Sequence, residues 1–305
     1  MIMSDYQFLA KLYGVRGSYP IAPEEGTKIG GNTTCLLVRT KEHVVIIDAG
    51  SGIIRLGKEL IPEILQYNKE TGKPFHITIL FTHTHTDHLL GFPFFAPIYM
   101  PNVHIHFFGP ATLGMDFEDI MRTQVIPQYF PVGMDEFRSK KSFANLTENL
   151  FLYFNSGNPE PQIGYINETE PAFSDLSIFN MKYYFHPKDG SYLYRIEWND
   201  KKLVFATDVE EYVGGDQRLI GFSKDADVLI HDAQYSEDQY KKFAGYGHSS
   251  IAMACDAAKQ ANVKKLLLYH HDPNNDDETL YKMEKRAQEL FSASELATER
   301  WEWKL

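Results

Sequence analysis

The stretch FTHTHTDHLLGFP, residues 81–93, carries the strongest structural signal in the sequence, with His83, His85, Asp87 and His88 directly after a run of apolar residues. This spacing arises by chance about once per thousand chains of this composition. Side chains two apart in extended backbone project to the same side, so His83 and His85 form one group. The turn that follows aims the other two side chains at an adjacent point. Imidazole and carboxylate ligands without thiolate favour zinc, with manganese or iron as alternatives.

Further ligands are expected at the ends of later strands, because four residues cannot complete the coordination of two metal ions. His186 in YYFHP, Asp208 in LVFATD and His270 in LLLYHH each end an apolar stretch. Alpha/beta folds gather their sites at such strand ends. Any one of these residues alone is more often structural. Together with the first motif, they supply the missing ligands.

The composition excludes several classes of protein. The chain has 305 residues, of which 43% are hydrophobic, enough to bury a full core, and a net charge of −11. This negative net charge argues against an extended surface that binds long nucleic acids. Two distant cysteines form neither a metal knuckle nor a disulfide framework, so we expect a cytoplasmic protein. No apolar run approaches the ~18 residues of a membrane span, and the N-terminal residues lack the pattern of a signal peptide.

The pattern of apolar residues predicts an α/β domain with sheets inside and helices outside. Strand-like runs, several of them unbroken, recur along the chain, and helical spacing is found over 53–67, 251–258 and 280–290. The segment 110–176 interrupts this rhythm. We interpret it as an insertion or lid within one domain spanning 1–305, and its part 147–176 shows no sustained period.

Eight motifs together resemble a known family. They are, in chain order, GVRGSYP, GGNTTC, IIDAGSG, HTHTDHLLGFP, FHPKDGSYLYRI, FATDVE, GHSS and LLYHHDP. This series resembles the metallo-β-lactamase fold, in particular the branch of cyclic-nucleotide phosphodiesterases and tRNA 3′-end processing endonucleases, over about residues 10–275. The resemblance implies an αβ/βα sandwich of two mixed sheets packed face to face with helices outside, and a homodimer. FHPKDGSYLYRI departs from the family's glycine-rich form.

The resemblance also implies a role for each predicted ligand. One metal ion would take His83, His85 and His186, the second would take Asp87, His88 and His270, Asp208 would bridge both, and Asp48 would brace the histidine loop without binding metal.

A small phosphodiester, most plausibly a cyclic nucleotide, is the substrate class that we expect. Two divalent ions lower the pKa of bound water from 15.7 to about 7 and so supply a bridging hydroxide as nucleophile. We expect Asp87 and His248 to take part in the reaction, Asp87 while also binding metal. His248 in GYGHSS would act as general acid, which the resemblance supports. Alternatively, it bonds a loop carbonyl.

Six other residues are candidates for the surroundings of the site. Asp232 and His231 follow one strand and would order the ligands, although a structural role is slightly favoured for His231. For each of the remaining four, a contact with substrate competes with a structural role: His271, Arg16, Tyr129 and Phe130.

Two further histidines, His104 and His106, copy the spacing of metal ligands, but no Asp-His pair follows them. Alternation along a strand explains them better than metal binding. His43 and His76 open strands and are interpreted as surface residues.

Three other functions compete with the phosphodiesterase. A lactonase or thioesterase could use the same metals, because hydroxide also attacks carbonyl carbons. A tRNA 3′-processing endonuclease is disfavoured by the acidic balance. A non-enzymatic sensor is disfavoured by seven intact ligands.

Overall fold

The computed structural model describes residues 6–22, 28–168, 175–187, 189–212 and 214–305. Two mixed β-sheets form its centre, one of seven strands and one of eight. The strands are β1 (Phe8–Gly14), β2 (Cys35–Thr40), β3 (Val44–Ile47), β4 (Phe75–Leu80), β5 (Val103–Gly109), β6 (Lys140–Asn145), β7 (Leu150–Phe154), β8 (Gln162–Tyr165), β9 (Leu176–Tyr183), β10 (Ser191–Trp198), β11 (Lys201–Ala206), β12 (Val228–Asp232), β13 (Leu266–Tyr269), β14 (Ser294–Leu296) and β15 (Glu302–Lys304).

Each sheet has an antiparallel part and a parallel part. The first sheet runs β15-β1-β2-β3-β4-β5-β6, and its strands are parallel from β3 to β6. The second sheet runs β14-β13-β12-β11-β10-β9-β7-β8, and its strands are parallel from β11 to β14. Alternate residues of the first sheet, such as Leu80 and Phe108, belong to the same apolar core as the second sheet. The two sheets therefore pack face to face, as predicted.

The helices cover the outer faces of the two sheets. On the first sheet, α1 buries Ile53, Leu56, Leu60 and Ile64, which lie three or four residues apart and so form one face. It ends at Gly72, whose left-handed backbone suits glycine. The helices are α1 (Gly52–Thr71), α2 (Thr86–Leu89), α3 (Phe117–Thr123), α4 (Gln217–Phe222), α5 (Glu237–Phe243), α6 (Ile251–Gln260) and α7 (Asp277–Leu290). In the described part of the chain, we find no helix with the length and apolar character needed to span a bilayer.

The segment 110–176 has more regular structure than its sequence predicted. It contains the short helix α3, β6 at the edge of the first sheet and the β7–β8 hairpin at the edge of the second. Although the sequence of 147–176 shows no sustained period, residues 150–154 and 162–165 form strands. Residues 169–174 of this segment lie outside the described residues.

The predicted site lies at the C-terminal ends of the parallel strands. Asp48 follows β3, the histidine motif follows β4, and Asp208 follows β11. His270 follows β13, while a bridge between Arg16 and His271 joins the ends of the two sheets. Side chains from distant parts of the chain thus meet at one edge of the sandwich.

Candidate metal centre

Three histidines form the first group at this edge. His83 Nε2 lies 2.9 Å from His85 Nδ1, and His186 Nε2 lies 3.1 Å from the same nitrogen. His83 and His186 are buried, whereas His85 is exposed and marks the open side of the site. These ring nitrogens converge closely enough for one metal ion.

Asp87, His88 and His270 form the second group, and all three are buried. His88 Nε2 and His270 Nε2 each lie 3.4 Å from Asp87 Oδ2. The same carboxylate oxygen accepts a hydrogen bond from the backbone N–H of Ser18 at 2.9 Å. This second group has the donor atoms for one more ion.

The carboxylate of Asp208 lies between the two groups. Its Oδ1 is 3.7 Å from His83 Nε2 and 3.6 Å from His186 Nε2. Its Oδ2 is 3.2 Å from His88 Nε2 and 3.4 Å from His270 Nε2. Each oxygen therefore faces one group, which is the arrangement that a bridging ligand requires.

Asp48 positions the second group without facing its ligand atoms. His88 Nδ1 donates to Asp48 Oδ2 at 2.8 Å, and Thr82 donates to both carboxylate oxygens through its backbone N–H and its hydroxyl. Burial raises the pKa of Asp48. Because Nδ1 of His88 is engaged, Nε2 is the nitrogen that faces Asp208.

The loop before α6 positions His186. His186 Nδ1 donates to the carbonyl of Gly247 at 3.0 Å. A Cβ atom at Gly247 would lie 2.5 Å from that Nδ1, so only glycine fits here. Glu210 holds the loop by accepting from the backbone N–H groups of Gly245 and Gly247.

Asp232 links His248 to the centre. His248 Nδ1 donates to Asp232 Oδ2 at 2.7 Å, and His270 Nδ1 lies 3.6 Å from the same oxygen. Although burial opposes protonation, the charge of Asp232 raises the pKa of His248 to about 9. A ligand atom of His248 lies within 4.8 Å of ligand atoms of His186 and Asp208. Ser250 caps α6.

Four non-glycine residues at the centre have a strained backbone. Ser18, Asp48, Asp208 and His270 all have positive φ values, between 58° and 63°. Residues other than glycine adopt this conformation at a cost of about 1–3 kcal/mol each, which the surrounding structure must offset. Such strain is typical of functional sites.

The donor set fits divalent cations. Nε2 of His88 and both ring nitrogens of His270 are buried without a hydrogen-bond partner in the described part of the chain. Burial lowers the pKa of His88, but Asp87, Asp208 and Asp48 outweigh burial and raise it well above its usual value. The site thus favours positive charge, and unpaired nitrogens are available to bind it.

A cavity of about 310 Å³ opens beside the first group. Its described lining includes one acid, Asp189, and no lysine or arginine. Apolar side chains and two residues of the histidine loop form most of the wall: Pro110, Leu113, Pro187, Tyr192, Thr84 and His85.

Three of the candidate surrounding residues have structural roles. Arg16 is fully buried, and its guanidinium donates to the carbonyls of Gly30 and Asn275 at 2.8 Å each, so it does not meet a substrate phosphate. His271 is also fully buried and bonds the carbonyl of Ala297, and burial lowers its pKa to about 3. His231 bonds the carbonyl of Asp232 rather than a ligand.

The aromatic candidates do not line the described cavity. Tyr129 is 81% exposed, and Phe130 packs edge-on against Phe94 with ring centroids 5.5 Å apart. Neither belongs to the wall beside His85. Stacking on a substrate base therefore gains no support from the structure.

Several positioning residues were not identified from the sequence. Thr82, Ser18 and Glu210 each bond a ligand or the loop that holds one. Gly17 is a further case, because a Cβ atom there would lie 2.5 Å from the His270 ring. All four of these residues lie in motifs quoted above, which was the available signal: Gly17 and Ser18 in GVRGSYP, Thr82 in FTHTHTDHLLGFP and Glu210 in FATDVE.

Comparisons with known proteins identify the family. The model of the metallo-β-lactamase superfamily matches residues 29–239. Ribonuclease Z of Thermococcus kodakarensis is 25% identical over 271 residues, 78% of each chain. Among solved structures, the short form of human tRNase Z superposes with a TM-score of 0.60 at 20% identity, covering 97% of this chain and 98% of that one. A diphosphatase of the PhnP family gives 0.63 at 13% identity, covering 98% of both.

The chain belongs to the metallo-β-lactamase superfamily, since the family model covers most of its length. The predicted fold class is confirmed. Within that superfamily, the protein is a hydrolase with ribonuclease Z-like relatives.

Proposed function

We propose that the protein is a dinuclear metal-dependent phosphodiesterase that cleaves small phosphodiesters, with a cyclic nucleotide as the first candidate substrate. The observation that carries this proposal is the position of Asp208, whose two carboxylate oxygens face separate groups of ligands. A pair of divalent ions, when bound, supplies an activated water and neutralises charge on a phosphoryl group.

Seven side chains would hold the two ions. Imidazole and carboxylate donors favour zinc, with manganese or iron as alternatives. The ligands would be His83, His85 and His186 for one ion, Asp87, His88 and His270 for the other, and Asp208 for both.

His248 is proposed as the proton donor to the leaving oxygen. Its Nδ1 is held by Asp232, which leaves Nε2 free to give a proton to the alkoxide as the P–O bond breaks. Asp232 acts as a positioning residue, because it keeps the imidazole protonated and fixes its orientation. The protonated alcohol then leaves without accumulating negative charge.

A small substrate is favoured over a long polyanion. The cavity has a volume of about 310 Å³, and apolar side chains form much of its described wall. The net charge of −11 gives no support for an extended phosphate-binding surface. One phosphodiester needs positive charge only where it is cleaved, and the two ions would supply it there.

The proposal is tested with a panel of substrates offered to the zinc-loaded protein. The panel contains bis-p-nitrophenyl phosphate, cyclic AMP, cyclic GMP, a lactone and a precursor tRNA. We expect turnover of bis-p-nitrophenyl phosphate and of at least one cyclic nucleotide, abolished in Asp208→Ala. Turnover of the lactone without any phosphodiester would instead identify a carbonyl hydrolase on the same metals.

Processing of tRNA 3′ ends is the second candidate. The observation in its favour is the ribonuclease Z of Thermococcus kodakarensis, which aligns over 78% of both chains. The precursor tRNA separates the two candidates. Cleavage of this RNA at a rate well above that of every cyclic nucleotide would replace our first proposal with the second.

A further inference from the structure

A second histidine cluster lies at the opposite end of strands β4 and β5. His76 and His104 are paired in register near the starts of these two strands, and His106 lies two residues further along β5. Their neighbours Ile77 and Ile105 belong to the core beneath α1. Because side chains alternate along a strand, the three imidazoles share the opposite face, which points toward the second sheet.

The nitrogens of this cluster converge on one carboxylate. His76 Nδ1 lies 3.0 Å from His106 Nε2. Glu160, in the connection between β7 and β8, places its Oε1 4.0 Å from His76 Nδ1 and 3.9 Å from His104 Nδ1. Tetrahedral zinc with bonds of about 2.1 Å separates its ligand atoms by about 3.4 Å. The observed separations bracket that value.

Two of the imidazoles have the surroundings of metal ligands. His106 Nδ1 hydrogen-bonds to Ser142 Oγ at 2.9 Å, which orients the ring and leaves Nε2 facing the cluster. His104 is 7% exposed, and its Nδ1 is the nitrogen that faces Glu160. Each of these two rings therefore presents one nitrogen to the cluster, as a metal ligand must.

The imidazoles of the cluster are in the neutral form that binds metal. Burial lowers the pKa of His76 and His104, and burial together with the neighbouring imidazoles lowers that of His106 to about 3. Each neutral imidazole carries one nitrogen lone pair that can bind a metal ion, but the three rings offer no positive partner to the carboxylate of Glu160. Lys140, paired in register with His104, is the nearby positive charge and lies exposed at the sheet edge.

We propose that His76, His104, His106 and Glu160 form a structural zinc site, separate from the centre around Asp208. Three imidazoles and one carboxylate complete four-coordination and leave no open position, as structural zinc sites require. The ion would tie the β7–β8 connection of the second sheet to β4 and β5 of the first. It would therefore fasten the two sheets together at the end opposite to the catalytic edge.

The test counts zinc in the full-length protein. Wild type and variants are stripped with a chelator, incubated with excess ZnCl₂ and desalted, and zinc per chain is measured by plasma mass spectrometry. His106→Gln should contain one ion fewer than wild type. This difference does not depend on how many ions the Asp208 centre holds, so the result is independent of the proposed function.

Two further variants make the result specific. His43→Gln replaces another buried histidine, one that lies against Phe154 outside the cluster, and should keep the wild-type zinc count. Glu160→Gln alters a side chain that is 53% exposed and should fold normally, but bind the ion at least about tenfold more weakly in competition with a chelator.

Hydrolysis of bis-p-nitrophenyl phosphate should be unchanged in His106→Gln and Glu160→Gln, since neither residue touches the catalytic centre. Equal zinc counts in wild type and His106→Gln would overturn the proposal. If His106→Gln fails to fold, unchanged zinc affinity in Glu160→Gln would overturn it instead.

Discussion

The two ends of strands β4 and β5 carry two different kinds of histidine cluster. At the C-terminal end, His83 and His88 lie beside two buried carboxylates, Asp87 and Asp208. At the N-terminal end, His104 and its neighbours face a single carboxylate, that of the half-exposed Glu160. The catalytic edge therefore has donors for two ions and is open to solvent. The other end has four donors for one ion, which would leave no coordination position open.

The supporting hydrogen bonds differ in the same way. At the catalytic edge, Asp48, Gly247 and Asp232 each fix one histidine or its neighbour. Four strained backbone positions also lie there, whereas His76, His104, His106 and Glu160 all have ordinary negative φ values. At that end, Ser142 fixes one ring. A site that must hold substrate needs this extra positioning, while a site that only fastens two sheets does not.

The largest effect is expected for Asp208→Ala. The variant removes the carboxylate between the two groups, so metal affinity and turnover should both collapse. The rate on bis-p-nitrophenyl phosphate should fall by more than about 10⁴-fold, beyond what one proton donor supplies. Asp200→Ala, at a side chain that is 83% exposed, is the matched control. Two ions at full occupancy in Asp208→Ala would show that this carboxylate is not the bridge.

The next effect is expected for His248→Ala, which should keep both ions but slow turnover. A missing general acid lowers the rate by about 10²–10⁴-fold when the leaving group is poor, and much less when it is p-nitrophenolate. Rates for a series of phosphodiesters with leaving groups of rising pKa measure this dependence. Equal losses across the series would remove His248 from the proton-transfer step.

A smaller effect is expected for Asp48→Asn. The amide cannot replace both carboxylate oxygens that accept from His88 and Thr82, so metal affinity should fall by about 10–100-fold. Competition with a chelator measures this change. Asp216→Asn, a buried helix cap away from the centre, should leave the affinity unchanged. Equal affinity in both variants would mean that Asp48 has no positioning role.

The smallest effect is a change in thermal stability, and it tests the second histidine cluster rather than the catalytic centre. Zinc should raise the midpoint of thermal unfolding of Asp208→Ala, in which the second cluster is intact, by on the order of 5 °C. The double variant Asp208→Ala, His106→Gln should respond less. Equal shifts in the two proteins, measured by differential scanning calorimetry, would remove the stabilising role of the second cluster.

Sequence reasoning worked best where a signal is local. The histidine motif follows its strand directly, and His186, Asp208 and His270 each end an apolar run, so their strand ends could be predicted without knowing the pairing. Helix α1 was predicted because its apolar residues repeat with a helical period. Topology then brings these ends together at one edge.

Long-range contacts explain what the sequence did not reveal. Arg16 has a structural role because its partner carbonyls belong to residues far along the chain, such as Asn275. The interpretation of His43 and His76 as surface residues is wrong, since His43 is 3% exposed and the side chain of His76 is 8% exposed. The second cluster depends on the register of β4 against β5, which no local pattern reports.

The edge strands of the segment 110–176 were missed for a related reason. The short strand β8 is rich in polar residues and glycine, and it forms because β7 pairs with it across a hairpin. Such strands have weak periodicity and depend on their neighbours in the sheet. These edge strands therefore depend on pairing with a neighbouring strand, which the spacing of residues along the sequence does not predict.

The central claim is that two metal ions flank Asp208, and anomalous diffraction from crystals grown with zinc tests it most directly. We predict one anomalous peak among His83, His85 and His186, a second among Asp87, His88 and His270, and the carboxylate of Asp208 between them. A single peak, or two peaks that both lie on one side of Asp208, would contradict the account.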